Sequence, residues 1–174
     1  MGIQFETDYN METLTAMAKG LRKTVRKKRS RRVHIFAAVV LILGLLTILA
    51  TTAGGEPLGA SGVVTLLAML VVILVSLFED KLNAWFARKR LLPGTEHAVA
   101  TFEEDGYVSA TGVTESRFSY AQIVAVAETA RYFVFALSSH HTQAYDKRTI
   151  RGGSVEDFRA FIAEETGKLV ENIK

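Results

Sequence analysis

The sequence predicts an α+β membrane protein, in which a two-helix transmembrane hairpin carries an antiparallel β domain capped by a C-terminal helix. Three observations lead there. Residues 33–53 and 58–78 contain no Asp, Glu, Lys or Arg, and the stretch GGEPLGASG (residues 54–62) interrupts them with glycines and a proline. A dense run of cations sits directly before the first apolar block. Beyond Pro93 and Gly94 the apolar pattern changes from helical to alternating.

In chain order, Ile3 and Phe5 alternate with Gln4 and Glu6, which predicts a strand that pairs with an edge of the C-terminal sheet. Met11, Leu14, Ala18, Leu21 and Val25 then recur at spacings of three and four, so a helix follows, with Asp8 as its expected N-cap. That helix is expected to continue into the first span. Its apolar stripe either lies in the plane of a lipid surface or packs on the protein's own domain, and the second reading is favoured because packing partners are nearby.

Each apolar block is long enough for a helix of the ~20 residues that crosses a ~30 Å hydrocarbon core. The 32 residues before the first block carry a pattern of their own, and the block exceeds the ~7–15 apolar residues of a secretion signal, so both helices are expected to be retained. Lys19, Arg22, Lys23, Arg26, Lys27, Lys28, Arg29, Arg31 and Arg32 precede the first span. The turn has no Lys or Arg, and Lys81, Arg88, Lys89 and Arg90 follow the second span. Lys and Arg stay on the cytoplasmic side during insertion, so both termini are expected in the cytoplasm, with residues 54–62 outside. The expected segments are 1–32 (strand and basic amphipathic helix), 33–53 (first span), 54–62 (turn), 63–93 (second span and an interfacial extension with Trp85 and Phe86) and 94–174 (cytoplasmic domain).

In that last segment His97 to Phe102 alternates, EEDG (residues 103–106) is a turn, and Tyr107 to Thr111 alternates again. Phe118 and Tyr120 share a face, Ile123 to Glu128 and Tyr132 to Leu137 read as strands, and Gln143 to Tyr145 as a short last one. Ser154 followed by Asp157 is a capping-box variant, opening a helix whose apolar face is Val155, Phe158, Phe161 and Ile162.

Charge divides unevenly along the chain. Residues 1–32 hold nine Lys/Arg against three Asp/Glu, whereas residues 94–174 hold eight against twelve. An acidic domain is a poor grip for phosphate backbones, so nucleic acid is disfavoured as a partner. The nine cations of the arm instead suit the anionic headgroups of a bilayer, at roughly 1 kcal/mol per cation near the surface.

Little else points to chemistry. With no cysteine, thiol catalysis and thiolate metal sites are excluded. His140 and His141 are adjacent, and neighbours on an extended chain point to opposite faces, so no metal site is expected. RGGS (residues 151–154) lacks the strand and Lys of a phosphate loop. The spans carry hydroxyls such as Thr47, Thr51, Thr65 and Ser76, with His34 at the edge, but no ionisable group within them to serve ion transport. No enzyme activity and no cofactor are expected.

The EDG turn, Tyr120 with Ile123 three residues on, ETARYFVF, DKRTI and the EDFRAFI helix, placed after two spans, resemble the YcxB-like bacterial membrane proteins. Tyr120 stands where that family often has Trp, and Asp146 where it often has Pro. The resemblance implies a pleckstrin-homology-like antiparallel β-barrel or sandwich for the C-terminal domain. Two function classes follow: a membrane-anchored binding or scaffold module on the inner face of the cytoplasmic membrane, or a protective, self-immunity protein against a membrane-active peptide. For the first, Lys147, Arg148 and Arg151 form a candidate ligand patch, and the partner is an unidentified protein, peptide or lipid headgroup. A homo-oligomer is left open.

Overall fold

The computed structural model describes residues 2–55 and 57–173 of the chain, so Glu56 of the interhelical turn lies outside the described residues. The order of elements is β1 (Ile3–Asp8), α1 (Met11–Lys23), α2 (Lys27–Ala53), α3 (Ala60–Leu77), α4 (Glu79–Lys89), β2 (His97–Phe102), β3 (Tyr107–Thr111), β4 (Glu115–Phe118), β5 (Ala125–Glu128), β6 (Tyr132–Ala136), β7 (Thr142–Asp146), α5 (Val155–Thr166) and β8 (Val170–Asn172).

α2 and α3 have the length and composition of membrane-crossing helices, with mean hydropathies of 2.7 and 2.6 over their most apolar windows. At about 1.5 Å per residue, the 27 residues of α2 reach about 40 Å and the 18 of α3 about 27 Å, so the cationic base of α2 extends beyond its partner. Neither helix contains a buried residue, and side chains such as Phe36, Leu46, Val64 and Leu67 point outward. The hydroxyls of Thr47, Thr51 and Thr65 donate to carbonyls four residues back in their own helices, so these three polar groups are satisfied within the helix that carries them. The two helices approach at Gly44, where a Cβ would stand 2.8 Å from Met69 Sδ. A small residue there lets the backbones come close.

The β domain is interrupted in sequence. β1 precedes all four of these helices, yet pairs antiparallel with β2, Phe5 opposite Ala100. One sheet runs β1-β2-β3-β4 and the other β7-β6-β5-β8, with β8 parallel to β5. They meet at one corner: Gln4 and Arg151 exchange two backbone hydrogen bonds of 2.9 Å, and the Thr149 hydroxyl donates to Glu6 O at 2.7 Å. The opposite side stays open, so the pair of sheets is not a closed barrel. Ser119 turns the chain out of β4 into a 3-10 turn at Tyr120–Gln122, and β8 takes the free edge of β5 instead. Three residues following a helix carry too little pattern to announce a strand, and β8 was not expected from the sequence.

Between the sheets lies an aromatic core. Phe5, Phe102, Phe133, Phe135 and Phe158 have no exposed surface, and the Phe158 ring lies 4.7–5.0 Å from those of Phe5, Phe102 and Phe133. α5 delivers Phe158 and Ile162 to this core from its capped start, where Ser154 Oγ accepts from Asp157 N at 3.0 Å and Asp157 Oδ2 accepts from Ser154 N at 3.1 Å. Gly167, at φ 61°, ends the helix in the left-handed conformation and frees the chain to enter β8.

α1 covers the outer face of the second sheet. Asn10 caps it, accepting from Glu12 N at 2.9 Å and Thr13 N at 3.1 Å, while Asp8 remains on β1 and pairs with His97 at 2.7 Å. The helix also does not run on into α2. Thr24 turns out of helical geometry at ψ −90°, and its hydroxyl takes the Gly20 carbonyl at 2.8 Å. The break lets the Leu14 and Leu21 face lie on the sheet while α2 departs in its own direction. Because α1 packs outside and the aromatic core inside, all five residues of β6 are buried.

Candidate functional site: a cationic groove at the base of the first apolar helix

α1, the first turns of α2 and α4 flank a groove of about 520 Å³, with His140 and Thr142 also in its lining. Leu14, Met17 and Leu21 of α1 form part of its lining. α4 contributes Glu79, Asn83, Phe86, Ala87 and Arg90, whose spacing of three and four puts them on one helix face. α2 contributes Arg26, Arg29, Ser30 and Val33, the last being the first residue of its charge-free run.

One ion pair locks the frame. Arg22 of α1 meets Asp80 of α4 through two hydrogen bonds, 2.7 Å from Nε and 2.6 Å from Nη2, a bidentate geometry that fixes both planes. That contact raises the Arg22 pKa further above its ordinary value. Glu79 lies 3.8 Å from both Arg22 and His34. Arg26 Nε donates to the Ser139 carbonyl at 2.6 Å, drawing the β6–β7 connection onto the groove.

The nine arm cations therefore occupy different settings. Arg22 is spent on Asp80. Lys19 faces the other side of α1, in a shallow hollow with Lys81, Tyr132 and Ile173. Lys23, Lys27, Lys28, Arg29, Arg31 and Arg32 are exposed, and Arg29 also lines the groove together with the half-buried Arg26. Arg90 and His140 join them from distant parts of the sequence. By sequence Arg90 is only a topological cation; the signal that points to the groove is the Glu79, Asn83, Ala87, Arg90 spacing at and just beyond α4.

Lys147, Arg148 and Arg151 are each engaged by the protein's own carboxylates. Lys147 lies 2.8 Å from Glu128, Arg148 2.9 Å from Asp146, and Arg151 3.1 Å from Glu6. Glu128 also accepts two 2.7 Å hydrogen bonds from Arg159, and these, reinforced by Lys147, hold its carboxyl at about 2, below the usual carboxylate range. Asp146 additionally accepts from Arg131 and from the Arg148 backbone, both at 3.0 Å. Glu128 thus braces β5 to α5 and to the turn after β7, while the Arg148 and Arg151 side chains stay largely exposed.

Among the described residues no group of three metal-ligating side chains converges. The buried phenols are paired: the Tyr107 and Tyr145 hydroxyls both donate to Gln143 Oε1, at 2.8 and 2.7 Å, and Tyr120 donates to the Glu103 and Gly106 carbonyls at 2.6 and 2.9 Å.

Compared with known proteins, the chain matches the model of the family described as YcxB-like protein over residues 102–162, from the end of β2 into α5. No curated protein and no solved structure matches it. The chain is thus similar to the YcxB-like family over residues 102–162, about a third of its length.

Proposed function

We propose that this protein is a non-enzymatic binding module anchored in the bacterial cytoplasmic membrane by α2 and α3, with its β domain on the inner face. The observation that carries the reading is the placement of Lys27, Lys28, Arg29, Arg31 and Arg32, all exposed, in the first turns of α2 immediately before its charge-free run. Cations in that position favour cytoplasmic retention and attract anionic headgroups, at roughly 1 kcal/mol each near the surface. The meeting of β1 and β2 supports a hairpin that returns to the side it left. Four antiparallel strands, three more, and a C-terminal helix against the core support reading the β domain as pleckstrin-homology-like, a fold suited to holding a ligand or partner at a membrane.

The test uses the full chain. A reporter fused after Lys174 should read cytoplasm, and one inserted at Gly59 should read exterior. In nanodiscs of mixed composition, phosphatidylglycerol should be enriched around the protein over phosphatidylcholine. That enrichment should weaken as salt rises, because exposed charges are screened over ~8 Å at physiological ionic strength. Replacing Lys27, Lys28, Arg31 and Arg32 with Gln should reduce it severalfold; no preference between the two lipids in the wild type would overturn the reading.

A further inference from the structure

We infer that the groove between the base of α2 and α4 holds the phosphate-bearing headgroup of one bilayer lipid per chain, distinct from the diffuse attraction of the exposed arm. The inference rests on the reading that α2 begins at an inner membrane surface, and it assigns a stoichiometric site within that surface. Charge complementarity comes first. Of the four arginines that line the groove, Arg22 is neutralised by Asp80, but Arg26, Arg29 and Arg90 enter none of the ion pairs among the described residues. The carboxylate in the lining, Glu79, faces Arg22 and His34. Three guanidiniums without carboxylates therefore share one concavity, and the planar guanidinium fork matches phosphate oxygens two at a time.

Size and apolar lining then select a lipid over free phosphate. About 520 Å³ lies within the range of small-molecule sites and exceeds what one inorganic phosphate fills. Val33 and Phe86 line the same groove, with Val33 opening the charge-free run of α2. A glycerophosphate group held by the arginines would place its first ester and methylene groups against those two side chains. A free anion would leave them bare. The frame that sets this geometry is the Arg22–Asp80 pair, which fixes α1 to α4.

The experiment is native mass spectrometry of the full chain released from neutral detergent, after exchange with phosphatidylglycerol or phosphatidylcholine. One phosphatidylglycerol per chain should survive activation that strips the remainder. The double variant Arg29→Gln/Arg90→Gln should lower its retention at least tenfold. Asn83→Trp, which fills the groove without changing its charge, should do the same, so the inference stays testable if one variant fails to fold. The quadruple Gln variant of the exposed arm should keep the tightly bound lipid while losing the general enrichment. Equal retention of phosphatidylcholine, retention by both groove variants, or displacement by millimolar glycerol phosphate would overturn the site. If the wild type enriches phosphatidylglycerol but the groove variants change nothing, the site fails and the anchored-module reading stands. Absence of any enrichment removes that reading itself.

Discussion

Glu128 is a buried carboxylate held by two cations from two different elements, Lys147 after β7 and Arg159 on α5. Its pKa falls from 4.5 to about 2 on folding, so the folded state binds the proton less readily than the unfolded chain. The resulting stability is fully present above the unfolded value and is lost as pH falls from about 4.5 through about 2. A shift of that size corresponds to an upper bound of roughly 3–4 kcal/mol at neutral pH, at ~1.4 kcal/mol per unit. Thermal unfolding of the full chain should accordingly show a stability that declines between pH 5 and 2, and Glu128→Gln should be less stable at pH 7 while losing most of that slope. An unchanged slope in the variant would assign the acid sensitivity elsewhere. None of this brace was legible in the sequence. Lys147, Arg148 and Arg151 read as one basic patch because they are neighbours, whereas Glu128 and Glu6 reach them only through strand register. Asp146 is similarly intelligible only in place: it caps the turn after β7 and receives Arg131 and Arg148.

Among the elements, those with strong period or capping chemistry were the readable ones. The Ser154–Asp157 pair announced α5, and the Met11, Leu14, Ala18, Leu21 stripe announced α1 together with a face that needs covering. What decides how α1 is covered is Gly20. A Cβ there would stand 2.7 Å from Val134 Cγ1, so the absence of a side chain sets how closely helix and sheet approach. Glycine at a helix interior otherwise costs roughly 1 kcal/mol, and sequence alone does not say what offsets it. Gly20→Val should destabilise the domain by about 1–3 kcal/mol through overpacking. Combining it with Val134→Ala should recover part of the loss, measured as non-additivity in urea unfolding; simply additive penalties would show that this contact does not limit the approach. The break between α1 and α2 was hidden for a related reason. Thr24 and Val25 fit the helical pattern, and nothing in it marks the turn of the Thr24 backbone to ψ −90° that ends the helix.

At the scale of the molecule, the two apolar helices and the mixed α+β character were plain from composition and periodicity, but the groove was not. Its walls come from residues 14–33, 79–90 and 140–142, and no local pattern joins them. The same separation governs β1. Alternation of Ile3 and Phe5 suggests a strand, yet its weight comes from where Phe5 ends up, without exposed surface among the core aromatics. Truncating such a Phe to Ala typically costs 3–5 kcal/mol, a large share of the 5–15 kcal/mol that holds an ordinary domain. Phe5→Ala should therefore raise hydrogen exchange across β2 and β7, and deletion of residues 2–8 should make the region after Gly94 protease-sensitive. Undiminished protection in both would show that the remaining strands suffice.

The interruption of the sheet by the helical hairpin bears on how the protein is made. β1 is synthesised before either apolar helix and β2 after both, and they can meet only if the chain has passed through the bilayer an even number of times. A molecule with one helix threaded would have β1 on one side and its partner on the other, leaving the β2 edge unpaired and the seat of Phe5 vacant. On the proposed membrane-anchored reading, strand pairing thereby acts as a parity check on insertion: a chain with a single crossing carries its error as an exposed edge and an unfilled core.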